Sequence, residues 1–199
     1  PFPSFWGPRA GLPSSQWIAQ SAKWIEEREK PELSLVYLPH LDYDLQRYGP
    51  SSPQASQAVQ ELDTLVGELL HFYESQKVRV IILSEYGLTP AKQVIYPNRA
   101  LRQKGWLSIK NELGLEYLDC GGSPAFCLTD HQIAHVYLNR QDDAFVSKVR
   151  KEMESLEGVA RVFSGKERAS IGLDHNRAGD LVLLAKEDAW FAYYHWLDD

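Results

Sequence analysis

Two short apolar runs, LSLVYLP over residues 33–39 and VRVIIL over residues 78–83, flank one long amphipathic segment, and this pattern constrains the fold most. Each run is short, rich in branched side chains and free of polar alternation, as expected of a strand covered on both faces. Between them Ser52 is a natural helix cap with Pro53 at the first helical position. Ala58, Leu62, Leu65, Val66, Leu69, Leu70 and Tyr73 then recur at three- and four-residue steps, a stripe expected to pack on a sheet. Strand, loop, helix and strand make a right-handed βαβ unit with parallel strands. In such a unit the loops after Leu38 and after Leu83 leave the same carboxyl edge, where open α/β sheets bind ligands. Topology thus brings His40, Asp42, Asp44 and Glu85 together, although they are far apart in sequence.

Upstream, residues 1–13 are rich in Pro, Gly and aromatics and read as an irregular segment. A helix capped by Ser14 or Ser15 runs to about Glu29 and is stopped by Pro31. The segment from His40 to Pro50 reads as a polar loop. After Pro90 a short helix ends near Gly105. Possible strands flank the turn residues Gly121, Gly122 and Pro124. A strand over IAHVYLN, a helix carrying Phe145, Val149, Met153 and Leu156 on one face, and two further strands follow. The expected class is α/β: a parallel-sheet core over residues 1–118 with a small α+β cap over residues 119–199.

With 199 residues, 44% apolar and 24% charged, the composition suits one domain with an appendage. A net charge of -6 offers no basic field for a nucleic acid polymer. No apolar run approaches the roughly 20 residues that span a bilayer, so no membrane partner is expected. Two cysteines, Cys120 and Cys127, are too few for a disulfide framework and suggest a reducing, cytoplasmic compartment. The chain opens on Pro1 and closes just after an aromatic stretch, AWFAYYHW, so both ends read as cuts within a longer protein.

The run YLPHLDYDLQRYGP, followed by the long helix and then by VIILSEYG, resembles the nucleotide pyrophosphatase/type I phosphodiesterase branch of the alkaline phosphatase superfamily. That branch carries Asp-x-x-Gly-His-x-x-Gly-Pro after one strand and Ser-Asp-His-Gly after the next. RAGDLVLLAKEDAWF is similar to a strand near the end of the cap in phosphonoacetate hydrolase-like members. The resemblance puts Asp42 on a metal-binding aspartate and Gly49-Pro50 on the family's Gly-Pro. Gln46 stands where the metal-binding histidine would be. Ser84 and Gly87 match, while Glu85 replaces an aspartate and Tyr86 a histidine. The resemblance further implies two divalent metal ions, zinc or else manganese or magnesium, in the whole protein, and possibly none bound by this piece. The nucleophile is implied upstream of Pro1 and further ligands beyond Asp199.

Two nearby cations polarise a phosphoryl oxygen, activate the attacking group and shield the leaving oxygen, which calls for carboxylate and imidazole ligands. Asp42 and Glu85 suit this role. His40 could join Asp42, because residues two apart on an extended segment point the same way. Gln46 and Tyr86 are poor ligands and are expected to orient substrate or a metal-bound water. Each has a structural alternative: Asp42 as a helix cap or partner of Arg47, Glu85 as a solvent-facing strand end, His40 as a loop-ordering donor. His131, His135 and His195 read as structural, Asp174 and His175 as a turn, and AWFAYYHW as packing rather than a base-stacking platform. No nucleophile elbow, dinucleotide fingerprint or P-loop is present, and neither cysteine has an obvious histidine partner. The expectation is a metal-dependent hydrolase of phosphate ester, diester or phosphonate bonds acting on a small substrate. The alternatives are a catalytically inactive relative that binds a phosphorylated small molecule and a phosphomutase-like isomerase.

Overall fold

The computed structural model describes Phe5, Gly7 and residues 10–198. The segment expected to be irregular over residues 1–13 lies largely outside the described residues. Its Phe5 packs edge-on against Trp17, ring centroids 5.4 Å apart. The chain forms two compact units, Pro1–Pro90 and Ala91–Asp199. The division falls earlier than the boundary expected at 118/119, because residues just past Pro90 hydrogen-bond to the chain near Asp188.

The first unit holds three helices, α1 (Leu12–Glu29), α2 (His40–Tyr48) and α3 (Pro53–Ser75). Helix α1 ends at Lys30, which takes a left-handed conformation ahead of Pro31. Helix α3 begins as expected: the Ser52 hydroxyl accepts from the Ala55 N–H at 3.1 Å, with Pro53 in the first turn. Its apolar stripe does not face a sheet. Leu65, Leu69 and Tyr73 bury against Ala19 of α1, with Leu12, Leu38, Phe72 and Val78 around them, so the stripe packs helix on helix.

Two further expectations are corrected in this unit. Residues 33–39 and 78–83 form no strand, and among the described residues no ladder hydrogen bond joins them to each other. A strand is a pairing, and an apolar run supplies only one side of it. Apart from Val36, Leu38, Pro39 and Val78, these side chains stand in solvent, Leu35 at 90%, Ile81 at 79% and Leu83 at 78% exposure. Residues 40–48, read as a loop, are helical, and the helix is stopped by Gly49 at φ 83 followed by Pro50.

The second unit follows its sequence pattern closely. Its elements are β1 (Gln93–Ile95), α4 (Pro97–Gln103), β2 (Ser108–Glu112), β3 (Leu115–Asp119), β4 (Ala125–Asp130), β5 (Ile133–Leu138), α5 (Asp143–Ser155), β6 (Val159–Ser164), a 3-10 turn (Gly165–Ile171), β7 (Leu181–Ala185) and β8 (Ala189–Phe191). Four strands form an antiparallel sheet in the order β4-β5-β7-β6. Strand β1 pairs in parallel with β8, Val94 opposite Trp190, and β2 with β3 forms a hairpin. Helix α5 buries Phe145, Val149 and Met153 into a core shared with Val136, Leu181 and Leu183. Asn98 of α4 is fully buried and grips β4 from both ends of its amide. It donates to the Cys127 carbonyl and accepts from the Cys127 N–H, both at 2.8 Å.

Candidate functional site

The first unit brings its chemistry together at Asp42. Helix α2 starts at His40 directly after Pro39, which puts Asp42 in the first turn, where the helix dipole favours a negative charge. Gln46 lies one turn further along the same face and its amide donates to Asp42 Oδ1 at 2.9 Å. From the other loop, Tyr86 donates its phenol to the same oxygen at 2.6 Å. The loops after Leu38 and after Leu83 therefore do converge.

The electrostatics follow from that contact. The hydrogen bond to Asp42 is the largest cause holding the Tyr86 phenol far above the ordinary tyrosine range, with burial next and the Asp42 charge after it. Tyr37 is a hydrogen-bonding neighbour of Tyr86. The Tyr43 phenol is also pushed up, by burial first and then by the charge of Asp42. Tyr37 and Tyr43 were not singled out from the sequence. The signal available was the placing of tyrosines before and directly after Asp42 in YLPHLDYD.

The other expected site residues are placed differently. His40 is buried, and its Nε2 lies 2.9 Å from Glu61 Oε2 on α3. Because residues 40–48 are helical, positions two apart turn roughly 200° from one another, and His40 does not share the neighbours of Asp42. Glu85 is exposed and makes no hydrogen bond or ion pair with any described residue. Asp44 pairs with Arg47 at 3.1 Å within α2.

Among the described residues no group of three or more His, Cys, Asp and Glu comes together in a way that could hold a metal ion. At Asp42 the donor set is one carboxylate, a phenol and a carboxamide, with the imidazole of His40 taken by Glu61. These residues by themselves do not fit a two-cation centre.

In the second unit the remaining candidates make local contacts. His135 Nδ1 accepts from the Gly179 N–H at 3.1 Å, and His131 sits at a turn beside Asp130. His195 is buried and stacks at a tilt on Trp196. His175 accepts from the Arg177 N–H within a turn. Burial pushes the Cys127 thiol far up, out of nucleophilic range. In the AWFAYYHW stretch Phe191 and His195 are buried while Trp190, Tyr193, Tyr194 and Trp196 are exposed; Tyr194 stacks on Tyr96 at 5.9 Å, and Arg99 lies over Tyr96 while its Nε donates to the Trp196 carbonyl at 2.6 Å. No helix among the described residues is long and apolar enough to cross a membrane.

The chain mixes helices and sheets, and structural alignment gives it an alkaline phosphatase-like fold. It aligns with crystal structures of phosphonoacetate hydrolase from Sinorhizobium meliloti 1021, in complex with phosphonoacetate (TM-score 0.61, 16% identity) and with phosphonoformate (TM-score 0.61, 18% identity). Each alignment covers 92% of this chain and 44% of that one. The chain belongs to the type I phosphodiesterase/nucleotide pyrophosphatase family, whose sequence pattern matches residues 4–199. It is also 32% identical over 74 residues to an uncharacterized pyrophosphatase/phosphodiesterase of Schizosaccharomyces pombe (strain 972 / ATCC 24843), a match covering 34% of this chain and 15% of that protein. The chain thus spans less than half the length of the relatives it matches.

Proposed function

We propose that the whole protein is a hydrolase of phosphate ester, phosphodiester or phosphonate bonds in small molecules. The observation that carries this reading is the family match along nearly the whole chain. The convergence of Asp42, Gln46 and Tyr86 at the expected loop ends supports it. A fold relative binds phosphonoacetate and phosphonoformate, and a small phosphorylated or phosphonate substrate is the class assigned here. Within this chain Gln46 and Tyr86 orient the Asp42 carboxylate, and Glu85 is the carboxylate open to engage a cation or a water. Divalent cations, where the whole protein uses them, are held mainly by ligands other than these residues. The four-stranded sheet of the second unit is assigned as the α+β cap.

A second reading, a relative that binds a phosphorylated small molecule without hydrolysing it, is favoured by one observation. Asp42 Oδ1 is occupied by two neutral donors where a cation would be needed. Release of p-nitrophenol from bis-p-nitrophenyl phosphate by the full-length protein, with and without added divalent cations, separates the two. The hydrolase reading predicts turnover that falls in Asp42→Ala and Glu85→Ala. Equal turnover in all three would overturn the residue assignment, and none in the wild type would favour the binding role.

A further inference from the structure

We propose that Tyr86 and Gln46 take, through hydrogen bonds, the place that a divalent cation would occupy on Asp42, so that this corner holds its carboxylate without a metal. The inference concerns the chain's own side chains and stands whether or not the hydrolase reading does.

Two donors reach one oxygen from separate segments: the Gln46 amide from one turn along α2, and the Tyr86 phenol from the second loop. Each directs a hydrogen, the positive end of its dipole, at Oδ1. A cation at that oxygen would meet two positive ends and would first have to displace both bonds. Rotating the Gln46 amide would turn its carbonyl oxygen toward a cation, but it would give up the bond to Asp42 and supply only a neutral ligand. A neutral phenol has no charge to give a cation, and its bond to Asp42 works against ionisation. Glu85, the open carboxylate beside Tyr86, does not complete a group of three ligands with Asp42. His40 is bound to Glu61, and among the described residues no third His, Cys, Asp or Glu joins Asp42. The same geometry identifies the change that would reverse the outcome. The Gln46 amide and the Tyr86 phenol approach Asp42 Oδ1 from two directions, so imidazoles in their places, the loop at 86 moving in to offset the shorter side chain, would give three protein ligands with a fourth position open, the pattern of an open zinc site. Gln46 and Tyr86 are both exposed, so the substitutions disturb no core.

Cobalt(II) titration of the full-length protein tests this, read by the visible absorption of a tetrahedral cobalt site. The proposal expects the wild type and Asp42→Asn to give the same titration, with no absorption that depends on Asp42. It expects Gln46→His combined with Tyr86→His to gain saturable visible absorption, and that absorption to be lost when Asp42→Asn is added. Asp42-dependent cobalt uptake by the wild type overturns the proposal, and that comparison requires no designed site to fold. A folded double-imidazole variant, checked by circular dichroism, that gains no absorption also overturns it. Because the readout is binding, neither result depends on whether the protein hydrolyses a phosphate ester.

Discussion

A helix turns about 100° per residue, and at the residue scale that rotation decides which groups meet. His40 and Asp42, two apart on α2, serve different neighbours, whereas Asp42 and Gln46, four apart, bond to each other. The same local logic makes Tyr86 a late titrator. Its phenol is held above the ordinary value of 10.0 by its bond to Asp42. The protonated form is the favoured one, so its contribution to stability is complete below pH 10 and is lost as the pH rises above it. In a spectrophotometric titration at 295 nm, the tyrosines ionising in the ordinary range should be equal in number in the wild type and in Tyr86→Phe. His135 has the opposite sign. Burial, and then the Arg168 charge, hold it below 6.5. Its neutral Nδ1 accepts from Gly179, so its contribution is present above pH 6.5 and lost as the pH falls below that value. The fall in melting temperature from pH 7.5 to 5.5 should therefore be smaller in His135→Gln than in the wild type.

At the scale of elements, the cap on α3 and the close approach at Gly179 carry measurable weight. Ser52→Ala removes the hydroxyl that holds the Ala55 N–H and should cost about 1 kcal/mol in denaturant unfolding, with the slope unchanged. A Cβ at Gly179 would lie 2.8 Å from both the backbone N and O of Val136, so Gly179→Ala forces the entry to β7 away from β5. It should cost about 1–3 kcal/mol.

These elements also show what could be read from residues alone. Helix α3 and the alternation of strands and helix in the second unit were legible because cap, period and turn residues agree there. Helix α2 was not, because Asp42, Asp44, Gln46 and Arg47 make it polar, and its nine residues include no long apolar stripe. Residues 33–39 and 78–83 were legible as buried-strand sequence but not as unpaired, since pairing depends on a neighbour that no run encodes. Asp42, Gln46 and Tyr86 could be placed near one another by topology. Which of them would hold the others depended on rotation within a helix that the sequence did not reveal, and so His40 was grouped with Asp42.

At the scale of the whole molecule, the two unpaired apolar runs expose much of their apolar surface: Leu33, Leu35, Ile81, Ile82 and Leu83 each expose at least 66%. An unpaired apolar segment of this kind is a template for association. The 199 residues produced by themselves should self-associate in sedimentation velocity as concentration rises, and Leu35→Lys with Ile81→Lys should reduce that association. Unchanged association in the pair of variants would place the contact elsewhere. The central claim is that the two loops meet at Asp42 and that hydrogen bonds, rather than a cation, hold that carboxylate. A crystal structure of the full-length protein grown with zinc, measured at the zinc absorption edge, tests it most directly. The expected result is Tyr86 Oη near 2.6 Å from Asp42 Oδ1 and no anomalous peak at that oxygen. An anomalous peak on Asp42, with Tyr86 turned away, would contradict it.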